Sequence, residues 1–270
     1  MRQTILLIAA LALVGCGKKT TPAEPETNAG PKVAGKKPTP PKAFTNTLGM
    51  KFVPVKGTDV QFSIWETRVK DYAAYAAANA GVDESWKSPG FTQADTHPVV
   101  NVNWNDANVL CSWLTKKELA EGKIKAGQKY RLPTDAEWSV AVGLGKELGD
   151  TPKAKDEGIK DVYPWGKEWP PPVGAGNYVA LKVDKFDYTS PVGSFAANKL
   201  GLHDMGGNVW EWCEDWYDPA AQKYRVLRGA SWGNGLPDGL LSSHRYYGLA
   251  LDFRGILIGF RCVLVSGSGG

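Results

Sequence analysis

The stretch from Gly201 to Trp216, GLHDMGGNVWEWCEDW, constrains this chain more tightly than any other. Gly201, Gly206 and Gly207 permit backbone angles that a side chain forbids, so the segment ahead of Asn208 is expected as a tight irregular turn rather than a helix. Beyond it the chain straightens. Trp210, Trp212 and Trp216 share parity, which in a strand puts three indoles on one face and Glu211 with Asp215 on the other, so a single buried face is expected. Asp204 and Glu211 flank the glycine turn, and the carbonyls of Gly207 and Val209 can turn inward beside them. Four hard oxygens converging on one point suit calcium, which takes such ligands at about 2.3–2.6 Å. On spacing alone, a solvated acidic loop is the plainer alternative.

The chain has 270 residues with 11 Trp, 31 Gly and 18 Pro, the profile of one loop-rich domain with an appendage. The appendage is at the front. Met1 and Arg2 precede a nearly continuous apolar run from Ile5 to Val14, too short to span a bilayer as a helix, which reads as an export signal. Leu13-Val14-Gly15-Cys16 resembles the lipobox of bacterial lipoproteins, in which the cysteine carries the lipid; an ordinary signal peptide cut elsewhere is the alternative. Residues 17–43, rich in Lys, Pro, Thr and Ala, bury too little to fold and read as a tether. The formal charge of +4 resides in Arg2 and the tether lysines, which leaves the folded part near neutral. A nucleic-acid partner is therefore excluded in favour of an anionic membrane or wall surface. The expected location is the bacterial cell envelope, and residues 266–270 read as a loose tail.

The globular part opens with a strand and turn over Phe44 to Val55 and a strand from Phe62 to Thr67, followed by a helix from Val69 to about Asn79. Pro98 to Trp104 reads as a short strand, and Asn105 as the N-cap of a helix running to about Glu121. Thr134 and Glu137 form a capping box that starts a third helix, ending near Gly143. After Gly145 a long coil follows, expected to be held by aromatic side chains and ions rather than by ladders. Strands return at Arg225 to Ser231 and at Ile256 to Val265.

Six segments then occur in one order: RLPTDAEW (131–138), YPWG (163–166), PVGSF (191–195), GLHDMGGNVWEW (201–212), RVLRGASW (225–232) and GFRC (259–262). Together they resemble the formylglycine-generating enzyme, or sulfatase-modifying factor, family across residues 44–265. The resemblance implies an α+β fold with a C-type-lectin-like core and little regular secondary structure. It implies two structural calcium ions. One set is the Asn177 side chain, the Tyr178 carbonyl, Asp184 and the Phe186 carbonyl; the other is Asp204, Gly207, Val209 and Glu211, which the loop chemistry also suggests. It implies a disulfide between Cys111 and Cys262, in keeping with export. Cys213 is then left over, as a buried small apolar residue or as a reactive thiol.

The family's oxidases convert a sulfatase cysteine to formylglycine with oxygen, copper and a cysteine pair downstream of the RGASW strand. Ser231 to Arg245 reads SWGNGLPDGLLSSHR, with no cysteine, so copper is not expected. A second oxidase branch holds iron on three histidines of an added helical domain, but His97, His203 and His244 have no metal-like spacing. Gly229-Ala230-Ser231-Trp232-Gly233 fits the nucleophile elbow of serine hydrolases, yet the turn-rich run after it cannot start the required helix. Arg228 and Arg261 are expected to pair with buried carboxylates such as Asp215 or Glu137, and Arg245 stays open to either structure or ligand. Two functions follow. One is a lipid-anchored, non-catalytic module that binds a protein or glycan in a groove around Ser231, Trp232, His244 and Arg245. The other is a divergent oxidase working through Cys213 or an unrecognised metal.

Overall fold

The structure, a computed structural model, describes residues 43–265 and 267. The export signal with Cys16, nearly all of the tether and most of the tail lie outside the described residues.

Two small sheets carry the fold. The first has five antiparallel strands: β1 (Phe44–Thr45), β2 (Lys51–Pro54), β3 (Val60–Ser63), β4 (Lys129–Arg131) and β8 (Val263–Val265), in the order β1-β2-β3-β8-β4. The second has β5 (Trp210–Trp216) in the middle, antiparallel to β6 (Arg225–Arg228) and parallel to β7 (Ile258–Gly259). Among the described residues, helices α1 (Val69–Ala78), α2 (Trp104–Ala120), α3 (Asp135–Val142) and the single turn α4 (Pro152–Lys155) complete the regular elements, with three short 3₁₀ turns. This is the expected α+β fold of low regularity.

Cap chemistry sets the helix starts. In α3 the Thr134 hydroxyl accepts from Glu137 N while the Glu137 carboxylate accepts from Thr134 N, and Gly143 at φ 92° ends the helix. In α2 the box lies two residues earlier than expected. Asn103 accepts from Asp106 N and Asp106 accepts from Asn103 N, so Trp104 and Asn105 are already helical.

The segment expected as a strand from Pro98 to Trp104 is not one. It makes single bonds to different neighbours, Val99 N to Thr67 O and Asn101 N to Gly255 O, and Asn101 at φ 56° prevents a continuous ladder. β3 lies earlier than the expected 62–67, and β6 stops at Arg228 because Gly229 and Ala230 take positive φ. The expected strand 256–265 is split between the two sheets.

The single buried face expected for β5 is also corrected. Trp210, Glu211, Trp212 and Cys213 are all buried, because the strand is central and covered on both sides. A register irregularity between Trp212 and Trp216 leaves the latter half-buried. In the long coil, Tyr163 stacks on Trp165 at 4.9 Å and Trp165 meets Tyr178 edge-on at 5.4 Å, so aromatic contacts do replace ladders there.

Candidate functional site

The glycine turn and β5 meet the crossover between β7 and β8. Gly259 lets the chain pass, since a Cβ there would come within 2.6 Å of the Val99 carbonyl oxygen. The crossover drives Arg261 inside, where Nε and Nη2 donate to the two carboxylate oxygens of Glu211 at 2.7 and 2.6 Å. Trp138 of α3 adds an Nε1–H bond to the same carboxylate at 3.0 Å. The guanidinium also donates to the carbonyls of His203 and Asp204, which ties it to the turn. Within the turn, Asp204, Gly207 and Asn208 all have positive φ, and a Cβ on Gly207 would lie 2.6 Å from the Asn177 carbonyl oxygen.

Two more carboxylates share this interior. Asp204 is buried and accepts from Gly193 N, and Glu66 is fully buried, accepting from Asn208 Nδ2 at 3.1 Å through one oxygen only. The other oxygen of Glu66 has no hydrogen-bond partner. Burial raises the Asp204 carboxyl to about 6. Burial, and then the charge of Asp204, raise Glu66 well above the carboxylate range. Asn208 joins this cluster to a second place. Its side-chain oxygen accepts from Asn177 Nδ2 at 3.2 Å, while Asn177 Oδ1, also buried, has no partner. Beside Asn177, the Asp184 carboxylate accepts from Tyr178 N and Phe186 N.

Of the residues expected to hold calcium, Asn177 keeps a buried side-chain oxygen without a donor, whereas Asp184 accepts two backbone N–H bonds and Glu211 is taken up by Arg261 and Trp138. Three buried carboxylates face one guanidinium in the first cluster, and each end of the Asn177–Asn208–Glu66 chain carries an oxygen without a donor. Buried oxygens left unmet by donors are costly unless a cation satisfies them. Glu211 is held by Arg261 and Trp138, so the unmet carboxylate oxygen of the first cluster belongs to Glu66, which no local sequence pattern marks.

A contrasting cluster lies on the other side of Trp138, whose ring carries the Arg228 guanidinium at 4.4 Å. Arg228 pairs with Asp135 Oδ1 and donates to the Ser242 carbonyl. Arg245 donates to both Asp135 oxygens at 3.0 Å and to Glu147 Oε2 at 2.7 Å. Burial alone would raise the Asp135 carboxyl, but the two guanidiniums overcome it and hold it below its ordinary value. The partners are thus Asp135 and Glu147, not Asp215 or Glu137. Asp215 accepts from Asp135 N, and Glu137 pairs with Arg131 at 2.6 Å.

The four residues expected to line a groove are dispersed. Ser231 is buried with its hydroxyl on Asn234 Oδ1, and Arg245 is buried in the cluster just described. Trp232 is half-buried beside Tyr188 and Phe91, whose rings stack at 4.4 Å, whereas His244 faces Asp156 and Glu157. Ser231 therefore has no histidine at hand to serve as a hydrolase nucleophile. His97 bonds to the Thr189 hydroxyl and His203 to the Phe195 carbonyl, so the three histidines do not converge.

Cys111 and Cys262 place their sulfurs 3.5 Å apart, buried and unbridged. Cys213 is fully buried, and burial pushes its thiol well above its ordinary value. Sequence reasoning missed Glu66, Asn208 and Glu147, and it read Asp135 only as part of a helix start. Each acts on partners brought by distant segments, with no spacing signature to reveal it.

Fold and site define a class: an α+β domain whose long coil is secured by buried charge in place of sheet ladders. The chain belongs to the Sulfatase-modifying factor enzyme 1-like domain family, whose profile matches residues 27–265. It is 34% identical over 198 residues to the Inactive C-alpha-formylglycine-generating enzyme 2 of Mus musculus, covering 67% of this chain and 55% of that protein. It is 34% identical over 145 residues to the Formylglycine-generating enzyme of Thermomonospora curvata, covering 49% and 39% respectively. The chain thus spans about half the length of the curated relatives it matches. The structure of PvdO from Pseudomonas aeruginosa superposes with a TM-score of 0.61 at 22% identity, over 85% of this chain and 100% of that one, a likeness of fold.

Proposed function

We propose that this chain is an exported, lipid-anchored, non-catalytic binding or accessory module of its family. The observation that carries the reading is the absence of cysteine from Ser231 to Arg245, where the family's oxidases hold copper. The cysteines elsewhere in the described residues do not offer a substitute pair at the surface: Cys111 and Cys262 are buried against each other, and Cys213 is buried without a thiol neighbour among its contacts. A Cu(I) site needs accessible thiolates. In this reading calcium, bound near Asn177 and Asp184 and near Glu66, Asp204 and Glu211, is structural. The ligand, a protein or glycan, is met by the aromatic surface of Phe91, Tyr188 and Trp232, and the lipid on Cys16 supplies the membrane contact.

Kinship with active formylglycine-generating enzymes supports the rival reading, an oxidase through Cys213. One experiment separates the two. The purified protein is loaded with copper under reducing conditions, its metals are measured by mass spectrometry, and oxygen uptake is followed with a cysteine-containing sulfatase peptide. Calcium near two per chain with no retained copper and no uptake is the expected result. Stoichiometric copper with peptide-dependent uptake would overturn the proposal.

A further inference from the structure

Asp156 and Glu157 follow α4, and His244 follows the short 3₁₀ turn at Asp238–Leu240. Neither segment shows a metal-like spacing, but the fold lays one against the other. Glu157 N donates to the Ser243 carbonyl at 3.1 Å, the Ser243 hydroxyl donates to the Ile159 carbonyl at 2.8 Å, and Arg245 N donates to Asp156 Oδ1 at 2.7 Å. The backbones are therefore fixed before any ligand arrives.

His244 Nδ1 stands 3.4 Å from Asp156 Oδ1 and 3.4 Å from Glu157 Oε1. This nitrogen is shielded from solvent yet makes no hydrogen bond. One nitrogen and two carboxylate oxygens, all within 4.8 Å of one another, thus converge at ion-pair distance. Two donors held at about 2.0–2.1 Å from a tetrahedral zinc are themselves roughly 3.3–3.4 Å apart, so the spacing found is that of a coordination edge.

The surroundings suit ligation. Tyr217 Oη donates to Asp156 Oδ2 at 3.0 Å, and Lys160 Nζ donates to Glu157 Oε2 at 2.9 Å, each orienting a carboxylate through the oxygen that is not aimed at His244. The imidazole lies against Trp210, with ring centroids 5.8 Å apart, which limits its rotation.

We infer that Asp156, Glu157 and His244 form a site for a borderline divalent cation of the zinc class. Imidazole selects such ions over calcium, which takes oxygen alone. Three protein ligands leave a coordination position open to water or an external donor. The site shares no residue with the Glu66–Asp204–Glu211 cluster and does not depend on the proposed function.

The test uses the full chain in millimolar calcium, which saturates oxygen-only sites, and titrates zinc against a chromophoric chelator. Cobalt in place of zinc reports coordination through its visible absorption. One zinc equivalent is expected, lost in His244→Ala and weakened at least ~10-fold in Glu157→Gln. Circular dichroism checks each fold. Should His244→Ala not fold, Glu157→Gln decides, because that side chain is partly exposed and its change leaves the histidine in place. Failure of the wild type to compete for zinc, or equal binding by wild type and Glu157→Gln, would overturn the assignment.

Discussion

The two buried charge clusters on either side of Trp138 are built from the same residue types and differ in their arithmetic. Around Asp135, two guanidiniums meet two carboxylates, and charge closes within the chain. Around Glu211, one guanidinium meets Glu66, Asp204 and Glu211, leaving negative charge and an unpartnered oxygen. A balanced buried cluster is a finished structural part. An unbalanced one at the same depth needs either protons or a cation, and that difference distinguishes a clamp from a binding site.

The comparison is broken most readily at the balanced cluster. Asp135→Ala leaves the buried Arg228 guanidinium without a carboxylate and Arg245 with Glu147 alone, with an expected loss of about 3–5 kcal/mol in denaturant unfolding, the same with calcium or chelator. A loss below about 1 kcal/mol would show that the cluster relaxes into solvent.

Of the two clusters, only the Glu211 one should respond to calcium removal. A chelator is expected to lower stability by about 3 kcal/mol relative to saturating calcium, as mass action gives at 100 times the dissociation constant. Glu66→Gln should shrink that difference. Unfolding curves unchanged by chelator would remove the case for a cation.

Trp138→Phe deletes the indole N–H that Glu211 accepts while leaving an aromatic face under Arg228. Its expected cost is about 2 kcal/mol, the scale of a bond to a charged group with some lost packing. Combined with Glu66→Gln it should be non-additive, and combined with a change at Glu147 nearly additive.

The smallest effect is in pH. Asp204 is raised to about 6, so its proton competes with a cation below that value. Calcium affinity should fall by up to ~10-fold per pH unit below about 6. The sign reverses without calcium. A carboxyl raised on folding favours the native state at low pH, and this contribution is lost as pH climbs from the ordinary carboxylate value through about 6. Asp135, held low, acts oppositely: its contribution is present above the ordinary value and lost as pH falls through the depressed one. Isothermal titration at several pH values, paired with unfolding in chelator, reads both trends.

Legibility in the sequence followed the range of each interaction. The α3 cap could be read because Thr134 and Glu137 are three residues apart and satisfy each other. In α2 two asparagines competed for the cap, and Asn103 won because Asp106 completes its box. The glycine turn was legible from Gly206 and Gly207, whereas Glu66 bonds across 142 positions to Asn208 and leaves no periodic trace. The alternation rule failed in β5 for a topological reason, since parity cannot reveal that a strand has neighbours on both edges and cover on both faces. Arg245 was ambiguous because its partners, Asp135 and Glu147, lie about a hundred positions away.

The split of the last strand between two sheets bears on how the molecule assembles. β8 sits between β3 and β4 and, among the described residues, is the strand that joins them in the first sheet. Until Val263 to Val265 arrive, β3 and β4 both present open edges, and Arg261 has not reached Glu211. Pairing of β8 thus covers two strand edges and seats a buried charge together, so residues 261–265 couple the two sheets.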